Sequence, residues 1–190
     1  MNQHRPWAEM SDSERLTAIR NRPPKRAPIL TVTAGLPASG KTTWANTWVE
    51  RVRSGFPETG TSGRSIVRMS RDDYRHMFGY PPLGDSTQEK HVTTAVNAAT
   101  LALLDSGVCV VRDDTNLRYP YLETLRKLAR SCGAEFEIVD FTEIPVETCI
   151  ERNRDRDDAV PEEAIRGLAE LIPPWEFPFP PGVRVRKGTA

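Results

Sequence analysis

The segment that most constrains this chain is residues 35–42, G-L-P-A-S-G-K-T, which fits the phosphate-loop pattern G-x-x-x-x-G-K-[S/T] at every specified position. Glycine at 35 and 40 lets the backbone turn where a Cβ would obstruct it, so successive N–H groups can point at phosphate oxygens. Lys41 supplies a mobile positive charge for the β- and γ-phosphates, and the Thr42 hydroxyl can complete the shell of a Mg²⁺ ion. The segment therefore predicts a site for a nucleoside triphosphate and Mg²⁺.

The surrounding pattern alternates short apolar strands with amphipathic helices. Strands are predicted at 29–34, 66–70, 108–111 and 136–141, with a possible edge strand at 183–186. Helices are predicted at about 41–53, 72–78, 86–106, 119–131, 145–155 and 161–171. In the helix at 86–106, the apolar residues Val92, Val96, Ala99 and Leu103 share one face. Such alternation predicts an α/β fold with a doubly wound parallel sheet of four to five strands, in which the ligand lies at the carboxyl ends of the strands.

Composition narrows the class of partner. Lys plus Arg and Asp plus Glu are both 26, a formal net charge of zero, which argues against a protein that coats long stretches of nucleic acid but permits contact with a few phosphates at a strand end. Three scattered cysteines predict a reduced cytoplasmic protein without structural zinc. No apolar run approaches a membrane span, and the amino end lacks a signal-peptide pattern, so no membrane partner is expected.

The segment S-R-D-D-Y-R at 70–75 follows the second strand and has two interpretations. In the structural one, Ser70 caps a helix and Asp73 closes a capping box. In the functional one, Asp72 accepts the proton of a substrate hydroxyl and Arg75 holds a substrate phosphate. Orientation of the hydroxyl matters more than basicity if the transition state of phosphoryl transfer is loose.

Two further segments also allow two interpretations. R-D-D-T-N at 112–116 places Asp113 and Asp114 where phosphate-loop enzymes hold Mg²⁺ through its waters, and the pattern does not decide between the two. The alternative is a capped turn. Arg152 and Arg156 share a helix face and could act on the transferred phosphate as arginine fingers, or could belong to a surface helix paired with Glu151, Asp155 and Asp157.

Taken together, these segments resemble the kinase domain of the bacteriophage polynucleotide 5′-kinase family. The matching segments, in order, are G-L-P-A-S-G-K-T-T-W-A at 35–45, R-D-D-Y-R at 71–75, D-T-N-L at 114–117, R-N at 152–153 with Arg156, and A-V-P at 159–161. The phosphate loop is common to many families, whereas R-D-D-Y-R followed by D-T-N-L is much more specific. The resemblance covers about residues 28–171.

The resemblance implies a role for each matching position. The residues that would bind ATP are Gly35, Leu36, Pro37, Ala38, Ser39, Gly40, Lys41, Thr42, Thr43, Arg152 and Arg156. Asp72 would be the general base, with Lys41 and Arg156 also catalytic. Thr42 and Asp114 would lie at the metal. Arg75 and Thr115 would contact the 3′-phosphate of the terminal nucleotide, and Val160 would pack against its base.

The sequence also departs from this family. The segment between Arg156 and Val160 is shorter, and no D-x-D-x-T phosphatase motif occurs, so 3′-phosphatase activity is not expected. We expect an amino-terminal extension at 1–27, with a short helix opened by Ser11–Glu14 and a Pro/basic linker. A P-loop kinase domain at 28–172 and a Pro/aromatic-rich tail at 173–190 would follow.

The leading hypothesis is an ATP-dependent kinase of 5′-hydroxyl ends of DNA or RNA, as in nucleic acid repair. One alternative is a P-loop kinase of another hydroxyl, on a small molecule or on a modified base in DNA. A non-catalytic nucleotide switch is disfavoured, because the chain has neither an N-K-x-D motif nor an ABC-type signature.

Overall fold

The structure is a computed structural model that describes residues 10–14, 27–55, 64–82, 84–172 and 179–189. Its labelled elements, in chain order, are β1 (Ile29–Ala34), α1 (Lys41–Arg53), β2 (Ile66–Met69), α2 (Arg71–Met77), α3 (Ser86–Asp105), β3 (Cys109–Arg112), α4 (Tyr119–Ser131), β4 (Glu135–Asp140), α5 (Val146–Arg154), α6 (Glu162–Ala169) and β5 (Arg184–Lys187).

The five strands form one parallel sheet in the order β2-β3-β1-β4-β5. This confirms the predicted parallel α/β sheet, and β5 confirms the predicted edge strand, displaced by one residue. β1 lies between β3 and β4, with Leu30 opposite both Val110 and Phe136. The carboxyl ends of β2, β3 and β1 therefore lie side by side at one edge of the sheet.

Helices cover both faces of the sheet, which is why all six residues of β1 are buried. Side chains alternate between the faces: Leu30 and Val32 pack in one cluster, and Ile29 in the other. The second cluster is covered by Ala45, Val49 and Val52 of α1. The first is covered by apolar residues of α3, α4, α5 and α6.

The predicted inner face of α3 is confirmed but was incomplete. Val92 and Val96 are buried, and Ala99 and Leu103 are partly buried against the core. The prediction missed two further buried residues of this helix, Thr100 and Leu104. Thr100 tolerates burial because its hydroxyl donates to the carbonyl of Val96 at 2.7 Å.

The amino-terminal capping box is present: the N–H of Glu14 donates to the Ser11 hydroxyl at 3.3 Å, and the N–H of Ser11 donates to the Glu14 carboxylate at 2.8 Å. The rest of the predicted first helix, the linker at 22–26 and residues 173–178 of the Pro/aromatic-rich tail lie outside the described residues. The proposed domain limits therefore stay predictions. No helix among the described residues is both long and apolar enough to cross a membrane.

Candidate active site

The phosphate loop joins β1 to α1 in a conformation that small residues permit. Gly40 has φ 99° and stands at the amino end of α1, where no described side chain caps the helix. A Cβ at Gly35 would lie 2.7 Å from the Cβ of Phe141, so the close approach of these two segments requires glycine. Ala38 also has a positive φ, 58°. The first-turn N–H groups of α1 are thus left for an anion.

Lys41 is buried beneath the loop, and its ammonium donates to the carbonyl of Leu36. Burial lowers the pKa of Lys41 to about 8, against the opposing effect of nearby negative groups, the strongest of which is Asp113. Asp72 also raises this pKa and Arg156 lowers it. Lys41, Asp72, Asp113 and Arg156, which come from four separate segments, therefore lie within electrostatic reach of one another.

Asp72 lies in the first turn of α2, directly after β2. Ser70 caps this helix by accepting the N–H of Asp73 at 3.1 Å, as predicted. The predicted reciprocal bond from Asp73 was wrong, because its carboxylate accepts from Arg68 at 2.8 Å. The side chain of Asp72 is 77% exposed. The pKa of Asp72 is nevertheless raised, chiefly because the surrounding protein removes part of its hydration, while Arg75 opposes this.

Arg75 is held between two carboxylates. It donates to Asp72 through one nitrogen and to Glu89 of α3 through two others, at 2.6 and 2.7 Å. The sequence did not indicate Glu89, which lies fourteen residues away on another helix. Arg75 therefore fixes the position of Asp72, and a substrate phosphate would have to compete with these two carboxylates for it.

The two adjacent aspartates after β3 have different surroundings. Asp113 accepts from Arg68 Nε at 2.7 Å through Oδ2, but its buried Oδ1 has no hydrogen-bond partner among the described residues. Both oxygens of Asp114 are occupied, by the backbone N–H of Arg71 at 2.7 Å and by Arg112 at 2.8 Å. An unpaired buried carboxylate oxygen fits a cation such as Mg²⁺, which proteins usually hold with only one or two carboxylates.

Arg112 was expected to follow the third strand but is its last residue, and it is 0% exposed. Its guanidinium donates to Asp114, to Asn97 at 2.9 Å and to the Tyr121 hydroxyl at 2.9 Å. Sequence reasoning missed this network because its members are spread over β3, α3 and α4. The only sequence signal was an arginine that ends an apolar strand next to two aspartates.

The β3–α4 loop is locked against β1. Asn116 has φ 47°, a conformation that asparagine tolerates, and its amide donates to the Thr33 carbonyl at 2.8 Å. The carbonyl of Thr115 accepts the N–H of Gly35 at 2.9 Å. The D-T-N-L segment thus lies directly against the start of the phosphate loop.

The end of α5 and the loop after it carry the remaining predicted residues. The guanidinium of Arg156 donates two hydrogen bonds of 2.8 Å to the carboxylate of Asp158. The expected partners were Glu151, Asp155 and Asp157. The pKa of Arg156 is raised mainly by Asp158, and also by the negative charges of Asp72 and Asp113. Arg152 is exposed on α5.

Val160 is fixed by Asn153, whose side chain donates to the Val160 carbonyl at 2.8 Å and accepts its N–H at 3.1 Å. Asn153 belongs to the R-N segment at 152–153, but the sequence did not indicate what its side chain does. Its buried side chain acts as a brace for the loop that carries Val160.

Comparison with known proteins gives the chain a family and a fold. Residues 30–174 match the family model described as AAA domain. No curated protein matches the chain. Two solved structures of the Pnkp1/Rnl/Hen1 complex are similar to this chain, and one of them is described as an RNA repair complex. Their sequence identities are 24% and 25%, and their TM-scores are 0.60 and 0.57. The matches cover 79% and 74% of this chain but only 45% and 47% of the other chains, so this chain spans less than half of their length.

Two other solved structures show the same fold at lower identity. Chaetomium thermophilum Kti12 in complex with ADP-AlF3 has 18% identity and a TM-score of 0.61, with 83% of this chain and 88% of that chain covered. The Mycobacterium tuberculosis APS kinase CysC in complex with AMPPNP and APS has 17% identity and a TM-score of 0.58, with 85% and 88% covered. The fold is therefore that of the small P-loop kinases.

Proposed function

The chain belongs to the AAA domain family and has the fold of P-loop kinases, and on this basis we propose that it is an ATP-dependent polynucleotide 5′-hydroxyl kinase. The observation that carries the proposal is the strand order β2-β3-β1, which brings the segments after β2 and β1, with Asp72 and Lys41, to the same edge of the sheet. The loop after β3 lies between them and bonds to Gly35 on one side and to Arg71 on the other. A donor site for a triphosphate would thus lie close to a carboxylate that can orient an alcohol. Similarity to a structure of an RNA repair complex supports a polynucleotide as the acceptor.

The donor half would bind the ATP phosphates on the phosphate-loop amides, with Lys41 at the β- and γ-phosphates. Thr42 and a β3 aspartate would hold Mg²⁺, which neutralises charge that develops on the phosphates. The resemblance indicates Asp114 for this role, but the unpaired oxygen of Asp113 makes Asp113 the better candidate. Asp114 would then act indirectly, by holding the amino end of α2.

The acceptor half would place a 5′-hydroxyl against Asp72. The hydroxyl oxygen forms a bond to the γ-phosphorus, the bond from that phosphorus to the β–γ bridging oxygen breaks, ADP leaves, and the hydroxyl proton passes to Asp72. Arg75 keeps the carboxylate in place. Arg156, with Arg152, would stabilise charge on the transferred phosphoryl group.

The remaining acceptor contacts follow the resemblance. Thr115 would contact the 3′-phosphate of the terminal nucleotide, and Val160, braced by Asn153, would pack against its base. Arg75 could share the phosphate only by giving up part of its bonds to Asp72 and Glu89.

A panel of acceptors tests the proposal. The protein is given γ-labelled ATP with a 5′-hydroxyl oligonucleotide, a free nucleoside, a hydroxymethylated duplex whose 5′ ends are already phosphorylated, or adenylyl sulfate, and the label in each product is measured. We expect labelling of the oligonucleotide, with a kcat/KM at least about tenfold higher than for the other acceptors, because only that acceptor offers both a 5′-hydroxyl and a 3′-phosphate. Exclusive labelling of another acceptor, or ATP hydrolysis without any transfer, would overturn the proposal.

A further inference from the structure

A groove of about 580 Å³ opens beside the amino end of α4 and has no part in the reaction described above. It is lined by residues 117–121 together with Thr124 and Leu171. Its wall therefore combines two tyrosine rings, one arginine and apolar side chains, with no acidic residue among them. A groove of this composition is suited to a flat aromatic group that carries a negative charge.

Two side chains of the groove are presented to solvent. Tyr119 is 40% exposed, although a tyrosine at the start of an amphipathic helix could have packed inward. Arg118 precedes it and is also exposed. The nearest acidic residue in sequence, Glu123, is bound to Arg126 by two hydrogen bonds of 2.8 Å, which reduces its repulsion of an anion in the groove.

The groove connects to the acceptor half through Tyr121. The ring of Tyr121 lines the groove, and the guanidinium of Arg71 lies over it at 5.6 Å from the ring centroid. Arg71 directly precedes Asp72 in α2. Its Nε is buried and has no hydrogen-bond partner within the described chain, and its ion pairs with Glu89 and Asp114 are long, at 3.9 and 3.8 Å. The positive charge of Arg71 thus lies between Asp72 and the groove.

We propose that this groove binds the second nucleotide of the acceptor strand, with its base stacked on Tyr119 and its own 3′-phosphate at Arg118. This inference rests on the proposed kinase function and specifies its substrate as a strand of two or more nucleotides. Arg71 lies on the path between the two nucleotides. Stacking on an aromatic ring tolerates any base, so the groove would raise affinity without selecting a sequence.

The test compares acceptors that differ by one nucleotide. The kcat/KM of the wild-type protein, Tyr119→Ala and Arg118→Gln is measured with a nucleoside 3′-monophosphate and with a dinucleotide that carries a 3′-phosphate. We expect the wild type to prefer the dinucleotide by about 5- to 150-fold, the range that corresponds to one stacked base. Tyr119→Ala should lose most of this preference through a higher KM for the dinucleotide, and Arg118→Gln should lose part of it.

Arg130→Gln is the matched control, since Arg130 is an exposed arginine at the other end of the same helix. It should keep the wild-type preference, and thermal unfolding should show that all three variants remain folded. If the wild type phosphorylates both acceptors equally well, or if Tyr119→Ala keeps the full preference, the groove has no such role and the kinase proposal stands. If the wild type phosphorylates neither acceptor, the kinase proposal itself fails.

Discussion

Adjacent residues at the carboxyl end of β3 differ in role because side chains alternate across a strand. Arg112 and Asp114 point to one side and bind each other at 2.8 Å, together with Tyr121 and Asn97. Asp113 points to the other side, where it meets Arg68 and interacts with Lys41. Asp114 is thus part of the framework, while Asp113 keeps a buried oxygen without a hydrogen-bond partner among the described residues.

Asp113→Asn tests this division of roles. A carboxylate that holds Mg²⁺ through its waters typically changes metal affinity by about 10- to 100-fold when it is altered. We therefore expect the Mg²⁺ concentration for half-maximal kinase activity to rise by about that factor, measured by titration at saturating ATP. Asp114→Asn is the comparison variant: it should lower stability, because it leaves the buried Arg112 without its charged partner, but the Mg²⁺ requirement of the folded variant should stay close to that of the wild type. The reverse pattern would restore Asp114 as the metal residue.

For individual residues, the sequence predicted which residue types form the site better than it predicted which residues they contact. The phosphate loop and the Ser70 cap depend on neighbouring residues, and both could be predicted. The contacts of Arg75 with Glu89, and of Arg112 with Asn97 and Tyr121, could not be predicted, because each joins groups whose geometry is set by packing between elements.

The elements of the site are held to one another by side chains that bridge them. Asp114 accepts the N–H of Arg71 and so links the end of β3 to the start of α2. Asn116 links the β3–α4 loop to β1. Arg112 supports the first of these links from the buried side, and it reaches α3 and α4 as well. The position of Asp72 on α2 therefore depends on a buried arginine in a different element.

Arg112→Met should destabilise the protein strongly, although methionine fills much of the same volume. Removing one partner of a buried ion pair leaves the other charge uncompensated, which costs about 3–5 kcal/mol. The free energy of unfolding, measured by urea denaturation, should fall by that amount. Arg154→Met removes an exposed arginine that pairs with Glu162 at 3.4 Å, and should have little effect. Equal stabilities of the two variants would contradict the assigned role of Arg112.

The types of the helices and strands were predicted well, because the spacing of apolar residues and the positions of glycine and proline determine them within short segments. β1 and α4 have the predicted bounds, and β3 and β4 differ by one residue. The inner face of α3 was predicted less well, since a threonine that bonds its own helix can replace an apolar residue in the core.

On the scale of the whole molecule, strand order brings the site together. β2, β3 and β1 are neighbours in the sheet, so the segments that follow them, with Asp72, Asp113 and Lys41, meet at one edge. The sequence predicted a parallel sheet with a ligand at this edge. It did not predict the strand order, because the order depends on how helices cross the sheet and not on any local pattern.

The central proposal is that Asp72 faces the donor phosphates and receives the hydroxyl proton. The most direct test is the turnover of Asp72→Asn on a 5′-hydroxyl oligonucleotide, with the Kd for ATP measured in parallel. Turnover should fall by about 10²- to 10⁴-fold, the usual contribution of a positioned base, while the Kd for ATP stays close to that of the wild type. Asp73→Asn, altered at the next residue of α2 where the side chain pairs with Arg68, should keep near wild-type turnover. Wild-type turnover in Asp72→Asn would contradict the proposal.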